Sequence, residues 1–342
     1  MRRHPSARRS AHQLLSMRAA IPAFCFVALA SCENAGADRT VGLDATGTVA
    51  GFVFFDVNGS LSADDADVPF EGARVRLLSG ASGDTLFRAA TGEDGRFVFS
   101  GVPVGSYEVV LDSASAGDSA RVTGLDVRSV TVLPADSVEV TGSIGYPIVS
   151  AAEARTLAAG TRVVVTGVAL HARLTFSDTL FHVVDTSGAI RAMRVRPSAV
   201  PVAAGDSVRL SGRVAARLGQ PVLDDVSVFV VSPTFVPTAN TVTTAAAATA
   251  AGGTLDAALV RILDAAVTDT ATVDGHLMMT IDDGSGLVFV RLDRAADAAF
   301  RPPYPAGLYV APNRFDVVGV LVPSGTGQWI VRPRSSLDLS LR

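Results

Sequence analysis

The sequence predicts an all-β protein, a sandwich followed by two small barrels with minor helix, and three observations predict it. First, from Val49 onward, short runs rich in Val, Phe, Leu and Thr are divided by Gly, Pro, Asp and Ser at close intervals, the pattern of sandwiches and barrels. GFVFFDV, ARVRLLS, DTLFRAA, RFVFS and SYEVVLD are such runs. Second, helical periodicity is confined to SAAEARTLAAG at 150–160, where Ser150 can act as N-cap, and to the Ala tract near 245–251. Third, the second half repeats itself. GTRVVVTGVAL, FHVVDTSGAIRAMRV and GDSVRLSGRVAARLGQPVL in 160–232 are answered by ALVRILDAAV, MMTIDDGSGLVFVRL and FDVVGVLVPSGTGQWIVRPRSSLDL in 253–338.

Along the chain, residues 1–31 come first. Arg2, Arg3, Arg8, Arg9 and Arg18 precede an apolar run, Ala19 to Ala30, that is too short to span a bilayer permanently. Leu29, Ala30, Ser31 and Cys32 then give small residues before a cut and a thiol after it. This LASC segment resembles the lipobox of bacterial lipoproteins. The resemblance implies removal of a signal peptide at 1–31, lipidation of Cys32, and export to the bacterial envelope, where the lipid is the membrane contact. Glu33 after the cysteine makes the outer membrane the expected destination. Translation can start at Met1 or Met17. Residues 32–46, small and polar, read as a tether.

Residues 47–145 form the first folded module. GFVFFDVNGSLSADDADVPFEGARVRL at 51–77 and TGEDGRFVFSGVPVGSYEVVL at 91–111 resemble the B domains of serine-aspartate-repeat surface adhesins and the related carboxypeptidase regulatory-like domains. The resemblance implies an immunoglobulin-like or prealbumin-like sandwich. Within it, Asp56, Asn58, Ser60, Asp64 and Asp67 fall at positions 1, 3, 5, 9 and 12 of a calcium-loop register. Leu61 stands where a turn-making Gly is expected, and Asp67 where a longer Glu would chelate. Calcium is therefore one reading of this cluster, and an acidic turn that fixes strand register is the other. No cofactor is otherwise required.

Residues 146–233 and 234–342 carry the two copies of the repeat. Each reads as strand, Asp-containing hairpin, then Gly-bounded strand pair, the order of a five-stranded OB barrel. The leading SAAEARTLAAGTRVVVTGV and the closing QWIVRPRSSLDL resemble OB-fold modules of bacterial secreted and lipid-anchored proteins. Asp185 in DTSG and Asp282 with Asp283 in DDGSG occupy matching hairpins, where Asp before Gly suits the left-handed turn.

Composition narrows the chemistry. All 29 basic residues are arginine, and cleavage before Cys32 removes five of them and no acid, leaving 24 against 33 acids and a formal net charge of −9. Such a surface repels polyanions overall. Cys25 lies in the signal and Cys32 takes the lipid, so no disulfide is expected. His171, His182 and His276 are not spaced as zinc ligands, and no nucleophile motif, HExxH or phosphate loop appears. The chain is therefore expected to be no enzyme. The best candidate ligand patch joins Trp329, Arg332 and Arg334 on the last barrel strand with Arg291 and Phe289 on another. These observations lead to a lipid-anchored, non-enzymatic envelope protein, a spacer with binding modules for protein or glycan partners. Nucleic-acid binding through the OB pair and a calcium-stiffened stalk are the alternatives.

Overall fold

A computed structural model describes residues 45–125, 128–177, 179–196, 201–293 and 307–342; the signal segment, Cys32 and nearly all of the tether lie outside them. β1 (Thr46–Asp56) opens the sandwich and buries alternate residues over its first half, Gly47, Val49, Gly51 and Val53, as a strand with one face on a core must. It is followed by β2 (Val68–Pro69), β3 (Arg74–Ser79), β4 (Thr85–Ala90), β5 (Arg96–Pro103), β6 (Gly105–Leu111), β7 (Arg121–Leu125), β8 (Ser129–Val132) and β9 (Ser137–Gly145). One sheet runs β2-β1-β9-β7 with β5 also on β1, the other β4-β3-β6-β8. β1 and β9 pair in parallel from Thr48↔Ser137 to Asp56↔Gly145. Val49, Leu77, Phe97, Phe99, Val109 and Ile144 are among the side chains buried between the sheets.

The first barrel has β10 (Ile148–Val149), the one-turn helix α1 (Ala151–Ala154), β11 (Arg162–Ala169), β12 (Leu180–Val184), β13 (Ala189–Met193), β14 (Asp206–Arg217) and β15 (Gln220–Pro233). Ser150 caps α1, its hydroxyl accepting from the Glu153 amide. The strand path β11-β12-β13-β15-β14 closes on itself through β14 and β11, with β13 and β15 parallel. The second barrel repeats this with β16 (Asn240–Thr241), α2 (Thr244–Ala248), β17 (Leu259–Val273), β18 (His276–Asp282), β19 (Leu287–Leu292), β20 (Arg314–Pro323), β21 (Trp329–Arg332) and β22 (Leu339–Leu341). Its closure is β17-β18-β19-β21-β20-β17, with β19 and β21 parallel. The protein is all-β with two five-stranded OB barrels, as the repeat predicts. Among the described residues no helix is long and apolar enough to cross a membrane.

The modules touch through built interfaces. Leu170 and Phe176 of the first barrel are buried against Leu259, Val320 and Val322 of the second. At the other junction, the loop after β1 lies on the first barrel, where Gly59 (φ 78°) leaves no room for a Cβ: one would sit 2.9 Å from Val164 Cγ1.

Candidate functional site

The acidic loop binds its own backbone. Buried Asp56 accepts from the amides of Gly59 and Ser60 through Oδ1 (2.7 and 3.0 Å) and from Leu61 through Oδ2 (3.0 Å). Asp67 accepts from Val57 and Asp64, and Asp64 accepts from Ala66 and from the Asn58 amide group. Ser60 Oγ donates to the Ser62 carbonyl. Burial with two neighbouring carboxylates pushes Asp67 up, despite its two amide donors. For Asp64, burial is outweighed by hydrogen bonds from Asn58, Ala66 and Ser60, which hold it below the usual range. Every oxygen of the three carboxylates thus already accepts an N–H, and among the described residues no group of three or more His, Cys, Asp or Glu side chains is placed to hold a metal ion. These bonds alone account for an acidic turn that fixes the strand register.

That turn aims three carbonyls at the first barrel. Arg209 Nη1 donates to the carbonyls of Gly59 (3.2 Å) and Ser60 (2.9 Å), and Ser211 Oγ donates to that of Val57 (2.7 Å). Beside them, the Tyr146 ring meets Phe55 edge-on with centroids 5.1 Å apart, and the Arg162 guanidinium lies 5.6 Å from the Tyr146 centroid.

The expected patch on the second barrel is committed internally. Arg332 Nε donates to Asp293 at 2.7 Å, and its guanidinium lies 4.2 Å from the centre of the Phe176 ring of the first barrel. Arg291 Nε donates to the other oxygen of Asp293 at 3.0 Å. Arg334 forms a two-pronged pair with Asp338 and donates to the Leu170 carbonyl. Trp329 packs on the barrel core, and Phe289 pairs with Ile330 across β19 and β21. Arg332 and Arg334 lie at the seam between the barrels, and each of the three arginines faces an aspartate, Arg291 and Arg332 sharing Asp293.

The same seam holds a group that local sequence spacing hides. His171, just past β11, and His182, on β12, are both buried, with Nε2 of the first 2.8 Å from Nδ1 of the second. His171 Nδ1 lies 2.9 Å from the Ala172 carbonyl and must donate there, so its Nε2 accepts from His182 Nδ1. Burial lowers His171 to about 4 and His182 well below its usual value; Arg332 adds to both. The hairpin register, in which the Leu170 amide donates to the His182 carbonyl, was the signal available to find the pair.

The hairpin aspartates do matching jobs. Asp185 accepts from the Ala151 amide (2.7 Å) and from its own turn at Ser187 and Gly188, while Ser187 Oγ accepts from Ala152. In the second barrel Asp283 accepts from Thr244 and Ser285, and Ser285 Oγ accepts from Ala245. These bonds outweigh burial and bring Asp283 down to about 2. Both hairpins satisfy the orphan amides of the helix leading their barrel. Arg155, next to α1, donates to Asp256 (3.0 Å) and reaches the Gly253 carbonyl, fastening the barrels on this side.

A cleft of about 780 Å³ lies where sandwich and first barrel meet. Asp118 and Arg121 line it from the sandwich, Tyr146 from the start of the following module, and Glu153, Arg162 and Arg213 from the barrel. Pro147, Val149 and Leu157 give it apolar walls. Sequence reasoning missed this site because its residues come from separated segments with no shared motif.

No family model and no curated protein matches the chain. Among solved structures the chain is similar to the hypothetical protein ygiW from E. coli, at 24% identity over 25% of this chain and 89% of that one, with a TM-score of 0.21. A murine DNA-binding protein bound with double-stranded DNA matches at 11% identity over 52% of this chain and 96% of that one, TM-score 0.27. A streptococcal ancillary pilin matches at 15% identity over 56% and 61% of the two chains, TM-score 0.23. Likenesses at these TM-scores carry no argument about function.

Proposed function

We propose that the protein is a non-enzymatic envelope protein, anchored through lipid on Cys32, whose three β modules form one stiff body that presents a ligand at a module junction. The observation that carries this reading is the docking of the loop after β1 on Arg209 and Ser211. Domains in one chain move relative to each other by default unless their interface holds them. Here a buried aspartate shapes three carbonyls specifically to meet the neighbouring barrel, an investment in fixed geometry that a passive linker does not need. Arg291, Arg332 and Arg334 face aspartates, which favours the junction cleft as the binding site in this reading.

Small-angle scattering and limited proteolysis of the full chain test the stiffness. A single compact profile resistant to cleavage around residues 146–150, replaced by a broadened distribution and a junction cut in Arg209→Ala with Ser211→Ala, supports it. Independent modules in the unaltered chain would overturn it.

A further inference from the structure

Arg162 and Arg213 are direct partners in the antiparallel pair of β11 with β14. Like charges placed opposite each other destabilise a sheet. Asp225 compensates Arg162 at 3.1 Å, yet among the described residues Arg213 is exposed and makes no side-chain hydrogen bond or ion pair. Arg121, brought to the same cleft by β7, spends Nη1 on the carbonyls of Asp118 and Ala120 and likewise pairs with no acid. The described arginines of the second barrel are each tied to an aspartate, whereas Arg121 and Arg213 form no ion pair among the described residues and line one concavity.

We propose that this cleft binds a carboxylate-bearing saccharide, a uronic acid unit of a glycan; the inference rests on the reading of the junction as a binding site. Guanidinium groups match a planar carboxylate with paired donors, so Arg213 and Arg121 take the acid group. The apolar walls at Pro147, Val149 and Leu157 and the ring of Tyr146 suit the C–H faces of a pyranose. Asp118 and Glu153, both exposed, accept from sugar hydroxyls.

The test is isothermal titration of the full chain with a short oligogalacturonate, its methyl ester and inorganic phosphate, alongside scattering on the same samples. The free acid binds, the ester binds at least about tenfold more weakly, and phosphate does not compete. Arg213→Gln and Arg121→Gln each weaken binding severalfold without lowering the melting temperature, because both side chains are exposed. Equal binding of acid and ester, or an Arg213→Gln protein of undiminished affinity, overturns the proposal; competition by phosphate replaces the saccharide with a simple oxyanion. Absence of binding by a chain that scatters as one stiff body overturns the ligand class alone, whereas a flexible junction overturns the platform reading as well.

Discussion

His171 Nε2 accepts from His182 Nδ1 across 2.8 Å inside the seam between the barrels, where Arg332 and Arg334 also lie close to His171. Protonating His171 removes the acceptor of that bond and adds a cation beside two others. In the unfolded chain the imidazole takes a proton near pH 6.5, in the fold only near 4. Between those values the unfolded state binds more protons, so stability falls as pH falls, by up to about 3 kcal/mol for this group. The melting temperature is expected to drop steadily from pH 7 to pH 4, and His171→Leu with His182→Leu to flatten that slope. A slope identical in the double variant refutes the assignment.

Asp185→Ala deprives the Ala151 amide and two turn amides of their acceptor. A loss of about 1–2 kcal/mol is expected in urea unfolding, and Asp283→Ala is expected to cost a similar amount in the second barrel. A strongly unequal pair of losses contradicts the equivalence of the two hairpins.

If the loop is an acidic turn that fixes strand register, calcium leaves the melting temperature unmoved; a rise with calcium establishes the metal reading instead. Asp56→Ala strips three amides of a buried acceptor and costs about 2–3 kcal/mol, whereas Asp64→Ala, at an exposed position, costs much less. Calorimetry with and without calcium decides the first point and denaturant titration the second.

Arg155→Ala leaves Asp256, whose side chain has no exposed surface, without its hydrogen-bonded cation and with only the more distant charge of Arg191. Burial already pushes Asp256 up, so part of the penalty is met by protonation, and a loss near the lower end of about 3–5 kcal/mol is expected at neutral pH. The loss shrinks in acid as the carboxyl takes its proton. Unfolding curves at pH 7 and pH 5 check the size and the direction.

The all-β class and both barrels were legible because strand alternation and Asp-Gly turns are local: β1 and the DTSG and DDGSG hairpins carry their signals within a few residues. The partners of those signals were not. That Asp185 holds α1, that His171 meets His182, and that Arg121 shares a cleft with Arg213 all depend on registers between separated strands, which no single run encodes. The same limit explains Arg332 and Arg334. Their spacing marks an arginine-rich strand, but only the pairing of β19 with β21 brings Asp293 beside Arg332.

The parallel pairing of β1 with β9 sets how the sandwich carries load. The two strands are the first and last of their module, joined from Thr48↔Ser137 to Asp56↔Gly145. Tension applied between the chain entering at Thr46 and the barrels beyond Gly145 pulls these strands past each other lengthwise. Their evenly spaced hydrogen bonds then resist together in shear and cannot peel apart one at a time. The module is wired as a mechanical clamp, and single-molecule pulling from the two ends should meet one high-force rupture at the sandwich.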